Sequence, residues 1–113
     1  MSRIRIDVNG SVTDPQGFAA CGLNCGIKSG IDDFALLVSD RPARAAGVFT
    51  TNKLVGAPVT VCREHLRGGT ARAIVATSGN ANVATGPAGL AAARRLAAAA
   101  GVRLGCAARQ VLV

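Results

Sequence analysis

Ala71-Arg72-Ala73-Ile74-Val75-Ala76 runs into Thr77-Ser78-Gly79-Asn80-Ala81-Asn82, and Thr85-Gly86-Pro87 follows three residues later. The first segment has the length of a strand, with alternate side chains sent to opposite faces. The second is a polar loop of turn-forming residues. Pro87 suits the first helical position, where an N–H would lack a partner anyway, and Gly101 suits the left-handed position after a helix. Between them Leu90, Ala93, Leu96, Ala97 and Ala100 share a face, while Arg94 and Arg95 lie off it. Strand, loop and helix in succession predict a mixed α/β chain.

Upstream, Asp33-Phe34-Ala35-Leu36-Leu37-Val38-Ser39 is an almost unbroken apolar run, the pattern of a buried strand, and Asp40-Arg41-Pro42 turns the chain after it. Ala46-Gly47-Val48-Phe49-Thr50 reads as another strand. So does Pro58-Val59-Thr60-Val61-Cys62, because proline is tolerated at a strand's first residue. Residues 63–66 form a short helical turn closed by Gly68-Gly69. Asp14-Pro15-Gln16-Gly17 is a turn leading into an extended segment from Phe18 to Leu23, and Gly22, Gly26 and Gly30 mark bends. Arg3-Ile4-Arg5-Ile6-Asp7-Val8 alternates with period two, a half-exposed strand before the Asn9-Gly10 turn. Gln110-Val111-Leu112-Val113 begins one more strand. The expected architecture is α/β (α+β) and strand-rich, without repeat or linker. Residues 1–113 form a single partial domain whose last strand reads as cut in mid-element.

Composition narrows the function classes. Half of the 113 residues are apolar, which excludes disorder, yet only 3% are aromatic and there is no Trp or Tyr. The core must be built from Ala, Val, Leu and Ile, with Phe18, Phe34 and Phe49 as its large members. No apolar run approaches the roughly 18 residues of a membrane span. The opening residues lack the apolar block of a secretory signal. Thirteen Lys and Arg against six Asp and Glu leave a formal charge of +7. The arginines are scattered and no aromatics interleave them, so a solvated surface or an acidic partner chain accounts for them better than nucleic acid does.

Four cysteines without a signal segment point to a reducing, cytoplasmic setting with free thiols. Cys21, Cys25, Cys62 and His65 can be drawn as a zinc site, but the spacing lacks a tight C-x2-C pair, and no metal is expected. A nucleophile made from Cys62 or Cys25 with His65 lacks a third, orienting group. Gly22-x3-Gly26-Ile27-Lys28-Ser29 is not a phosphate loop, because Ile27 separates the glycine from the lysine. The most concentrated polar segment is the loop of residues 78–82. Its Asn80 and Asn82 amides are the candidate substrate-binding groups, and their alternative role is to satisfy turn backbone.

Several segments then occur in one order: Gly17-Phe18-Ala19-Ala20, Gly26-Ile27-Lys28, the run from Asp33 through Ser39-Asp40, Ala45-Ala46-Gly47-Val48-Phe49-Thr50-Thr51-Asn52, Ala57-Pro58-Val59, Arg72-Ala73-Ile74-Val75, Ser78-Gly79-Asn80-Ala81-Asn82 and Thr85-Gly86. Together they resemble the N-terminal part of the ornithine acetyltransferase (glutamate N-acetyltransferase) family, from Gly17 to nearly the end of the chain. That family usually has Asn where Thr77 stands and often Cys where Ala84 stands.

The resemblance implies a layered sandwich, incomplete in this chain, and an arginine-biosynthetic enzyme that needs no cofactor. Its precursor cuts itself before a threonine, and the two chains stay associated. The freed threonine takes acetyl from N-acetylornithine, its own amine acting as base, and passes it to glutamate. Some members also accept acetyl-CoA as donor. A Thr-Gly pair beyond a strand like residues 110–113 stabilises the oxyanion. The catalytic residues would all lie outside this chain, and Thr50 and Thr51 cannot substitute because peptide bonds hold their amines. The expected partners are therefore the remaining α segment and the β chain, with no nucleic acid and no membrane. A non-catalytic remnant or a basic nucleic-acid-binding module is the alternative.

Overall fold

The α2 helix (Gly86–Leu104) buries Gly89, Ala93, Ala97 and Gly101, one residue in every four, and lays this small-residue stripe on a four-stranded sheet. The computed structural model describes residues 4–113. The strands are β1 (Phe18–Leu23), β2 (Phe34–Arg44), β3 (Thr70–Thr77) and β4 (Val111–Leu112), hydrogen-bonded in chain order. The first three are antiparallel, and β4 joins β3 in parallel after the α2 crossover. Register places Ala19, Val38, Ala73 and Val111 in one row on the face beneath α2. Ala73, Val75, Ala97 and Val111 form the buried centre, with Phe34, Leu36 and Leu96 against it. Burying each valine contributes about 1.5–3 kcal/mol.

The sequence correctly predicts β1, β3, the loop after it and a helix beginning at Pro87. Several other expectations need correction. Residues 58–62 are not a strand: they lie in α1 (Ala57–His65), with Pro58 in its first turn. Helical spacing puts Cys62 and His65 on one side, whereas a strand would send them to opposite faces. From there the Cys62 thiol donates to the Val113 carbonyl (3.1 Å) and His65 Nδ1–H donates to the Val111 carbonyl (2.7 Å). These contacts cover β4 on the side away from β3, so tertiary bonding outweighs the β-branched propensity of Val59, Thr60 and Val61.

Residues 46–50 are irregular rather than a strand, because the ladder ends where the Ala45 N–H meets the Gly69 carbonyl (3.0 Å). Phe49 instead lies under the Arg63 guanidinium, 5.5 Å from the ring centre, and Arg63 donates to the Thr50 carbonyl. The run at 33–39 is half-buried rather than buried, and Asp40-Arg41-Pro42 does not end it. Register slips between Val38 and Ala43, a bulge that places Pro42 where no ladder bond is lost. Within the bulge Arg72 Nε donates to the Ser39 carbonyl.

Gly101 is not the cap after α2. It is buried inside the helix, where a Cβ would stand 2.8 Å from the Cys106 carbonyl oxygen, and Gly105 (φ +65°) provides the left-handed end. At the N-terminus, Ile4, Ile6 and Val8 are exposed and form no strand, although the turn forms with Gly10 N–H on the Asp7 carbonyl. Arg3 lies outside the described residues.

The face opposite α2 carries a second cross-strand row, Ala20, Leu37, Ile74 and Leu112, with no layer over it among the described residues. Ile74 is 45% exposed there. β2 is interior to the sheet, and β1 is its open edge. The purified chain by itself is therefore expected to bind a hydrophobic dye strongly and to melt without a sharp transition, since exposed edges and apolar faces invite association. A cooperative two-state melt of monomer, followed by calorimetry, would contradict this.

Candidate functional site

Two loops meet at the end of the sheet where β1 leaves and β2 begins. The first, residues 24–33, is organised by the carboxylate of Asp33, only 2% exposed. Asp33 accepts the backbone N–H of Cys25 (2.7 Å) and of Lys28 (2.7 Å), one on each oxygen. The Asn24 amide donates to the Lys28 carbonyl (2.8 Å), to the Ile31 carbonyl and to Asp33 (3.2 Å). The Cys25 and Lys28 N–H bonds hold the Asp33 carboxyl down at about 2, against the opposing effect of burial. Conversely, the hydrogen bond with Asp33 pushes the Cys25 thiol above its ordinary value. Cys25 is thus the opposite of an activated nucleophile.

The second loop, residues 78–82, lies against the first. The Ser78 N–H donates to the Asp33 carbonyl (2.8 Å), and Lys28 Nζ donates to Ser78 Oγ. Gly79 has φ +105°, and a Cβ there would stand 2.8 Å from Lys28 Cγ, so both backbone and crowding require glycine. At the loop's far end, Asn82 Nδ2 donates to the Gly89 carbonyl (2.9 Å), and its Oδ1 accepts from Thr85 Oγ1. The Asn82 carbonyl accepts the Ala57 N–H (2.9 Å), tying the loop to the start of α1. Gly89 permits this, because a Cβ there would stand 2.3 Å from Asn82 Oδ1. Ala84, between the two, takes a left-handed φ of +55°.

Of the two candidate amides, then, Asn82 is half-buried and engaged with the start of α2, and Asn80 is exposed at the loop tip. Beside them runs a groove of about 350 Å3, bounded by Pro58, Val75, Thr77, Asn82, Leu96 and Val113. It is mostly apolar and carries Asn82 as its amide. Cys62 and His65 are bonded to β4, and Cys25 to Asp33, so the structure distributes the drawn cysteine–histidine sets over two separate tasks. Among the described residues, no three His, Cys, Asp or Glu side chains cluster as metal ligands. Asp33, Asn24 and Lys28 were missed as a unit by sequence reasoning. Their only local signal is a buried-strand pattern preceded by two acids and two bend glycines.

Because Asp33 ionises at about 2 when folded, below its reference of 3.8, its contribution is fully present above pH 3.8 and is lost as pH falls towards 2. Hydrogen exchange at the Cys25 and Lys28 amides, corrected for intrinsic rates, is expected to accelerate across that window. Asp33→Asn has one acceptor oxygen for two backbone donors and is expected to exchange quickly at every pH. Wild-type protection in that variant would remove Asp33 as the centre of the loop.

Comparison with known proteins adds identity to this geometry. Residues 19–113 match the sequence profile of the ArgJ family. The arginine biosynthesis bifunctional protein ArgJ of Thermosynechococcus vestitus is 48% identical over 94% of this chain, and that of Gloeobacter violaceus is 50% identical over 94%. The chain spans 26% and 27% of those relatives, about a quarter of their length. The crystal structure of the ArgJ protein of Bacillus halodurans superposes with a TM-score of 0.90 at 35% identity, over 92% of this chain and 55% of that one. Ornithine acetyltransferase of Mycobacterium tuberculosis, solved in complex with ornithine, gives 0.84 at 44% identity over 90% and 56%. The segments that carry the resemblance in sequence fall in β1, β2, the irregular stretch after it, the start of α1, β3, the loop of residues 78–82 and the first residues of α2, and the chain belongs to the ArgJ family.

Proposed function

We propose that this chain is the N-terminal portion of a glutamate N-acetyltransferase that moves acetyl from N-acetylornithine to glutamate in arginine biosynthesis. The observation that carries this reading is the 44% identity and TM-score of 0.84 to an ornithine acetyltransferase solved with ornithine. The chemistry proposed for the complete enzyme needs a threonine outside this chain. Its hydroxyl oxygen attacks the acetyl carbonyl, the C–N bond breaks, and ornithine leaves with the proton taken up by the threonine's own amine. The glutamate amine then attacks the acetyl-threonine ester, forming the new amide and freeing the hydroxyl. Acetyl-CoA stands as a second donor, and no cofactor or metal takes part.

In this reading residues 1–113 are one partial domain that supplies scaffold. The loop of residues 78–82 forms part of the pocket wall, with the Asn80 amide free to meet substrate and Asn82 holding the loop against α1 and α2. The partners are the remaining α segment and the β chain. The uncovered row of Leu37, Ile74 and Leu112 gives that complement an apolar face to cover, and the excess positive charge an acidic surface to meet, without nucleic acid or membrane. The chain covers just over half of each solved chain but about a quarter of the curated relatives, a ratio that supports a precursor divided into two chains. Free thiols at Cys21, Cys25, Cys62 and Cys106 suit the cytoplasm.

Co-expression with the missing α segment and the β chain of a relative, followed by an acetyl-transfer assay, tests the proposal. The assembled complex is expected to acetylate glutamate from N-acetylornithine, and the chain alone to show no turnover. Turnover by the chain alone, or an inert complex that nevertheless assembles, would overturn it.

A further inference from the structure

Lys28 is fixed more completely than a solvent-facing lysine needs to be. Its N–H is held by the buried Asp33 carboxylate at 2.7 Å and its carbonyl by the Asn24 amide at 2.8 Å, so its backbone is gripped on both sides. From that fixed root its stem crosses Gly79, where a Cβ would stand 2.8 Å from Lys28 Cγ, and its ammonium donates to Ser78 Oγ, 50 residues away in sequence. Asp33 grips the same loop from below through its own carbonyl and the Ser78 N–H. The Asp33 carboxylate is itself met by three donors, the Asn24 amide and the Cys25 and Lys28 N–H groups, whereas the Lys28 ammonium is directed to Ser78.

We propose that Lys28 is a positioning residue: it clamps the Ser78–Gly79 end of the loop so that the Asn80 amide is presented in one place. This rests on the reading of residues 78–82 as pocket wall. Asn82 anchors the other end of the loop independently, through Gly89 and Ala57. A loop tied at both ends loses little entropy when it meets a ligand, whereas one tied only at Asn82 must be ordered at that moment. The charge of Lys28 serves to hold the loop, and no contact with the reacting atoms is assigned to it.

The test uses the assembled complex. Lys28→Met keeps the stem over Gly79 and removes the donor. A charge-assisted hydrogen bond of this kind corresponds to about a tenfold effect. Lys28→Met is therefore expected to lower kcat/KM for acetyl transfer about tenfold, through KM more than kcat. Ser78→Ala is expected to match it, and the double variant to lose no more than either single change, because both remove one contact. Ser78→Thr keeps a hydroxyl and is expected to restore most of the loss, which a purely structural role of the side chain volume would not give. Additive losses, or wild-type kinetics in Lys28→Met, would overturn the proposal.

Hydrogen exchange at the Gly79, Asn80 and Asn82 amides separates the clamp from the pocket reading. Faster exchange in Lys28→Met than in wild type, with Val75 unchanged, supports the clamp even if the wild-type complex transfers no acetyl. Unchanged exchange at these amides would refute it even in an active complex.

Discussion

The constraint on which everything else rests is how closely α2 can approach the sheet. A chain with three phenylalanines and no Trp or Tyr cannot fill a wide gap between helix and strands. It closes the gap instead. Gly89, Ala93, Ala97 and Gly101 present almost no side chain, so the helix backbone settles near Ala73, Val75 and Val111, and dispersion contacts accumulate over many short side chains. The same closeness makes both ends of the stripe sterically exact. At Gly101 a methyl group would meet the Cys106 carbonyl, and at Gly89 it would meet the Asn82 side chain. Helix placement and loop placement are therefore one problem: if α2 were held further out, Asn82 could not reach the Gly89 carbonyl.

That coupling explains why the loop of residues 78–82 is held from two directions by different chemistry. On the α2 side the grip is neutral, the Asn82 amide donating to the Gly89 carbonyl in the first turn of the helix. On the β1–β2 side it is ionic, running from the buried Asp33 through the backbone of Lys28 to the Ser78 hydroxyl. A buried carboxylate is costly unless its lone pairs are met. Here three donors meet them, so the charge that burial penalises becomes the fixed point of the loop. The loop's exposed tip between these grips is Asn80 and Ala81.

What was legible in the sequence follows from which interactions are local. β3 and α2 could be read because alternation and four-residue spacing are visible in the segments themselves. α1 could not. Val59, Thr60 and Val61 favour a strand, and the carbonyls of Val111 and Val113 that reward Cys62 and His65 for sharing a helical side lie some fifty residues away. Residues 46–50 failed for a related reason. Their pattern is strand-like, but the β2–β3 ladder ends at the bond from the Ala45 N–H to the Gly69 carbonyl, and no strand runs beside them past that point. The alternation of Ile4, Ile6 and Val8 shows the limit most plainly, since a strand pattern is an offer of pairing and cannot supply its partner. Asn82 was visible as a polar residue in a promising loop, but its bonds to Gly89 and Ala57 depend on how α1 and α2 converge. The unit of Asp33, Asn24 and Lys28 was hidden because its ring of bonds forms only after the chain has turned through residues 26–31. The ordered set of family segments added what the periodicities could not, a link to a family.

The two faces of the sheet complete the physical picture. Beneath α2, the row of Val38, Ala73 and Val111 is small and covered, with Ala73 and Val111 buried and only its β1 end at Ala19 exposed, while the opposite row of Ala20, Leu37, Ile74 and Leu112 carries the bulkier side chains. Bulk on the open side is the reverse of what a sheet facing water requires, where polar residues alternate outward. It is what a sheet packed on both sides requires. Arg72 sits on that open side between Ala71 and Ala73, yet it turns its Nε into the β2 bulge to satisfy the Ser39 carbonyl, which draws charge away from the apolar row rather than across it. The α2 face is thus an interior over β3 and β4, and the other is an apolar surface suited to a second layer. The family's longer relatives, of which this chain spans about a quarter, have the polypeptide to provide one.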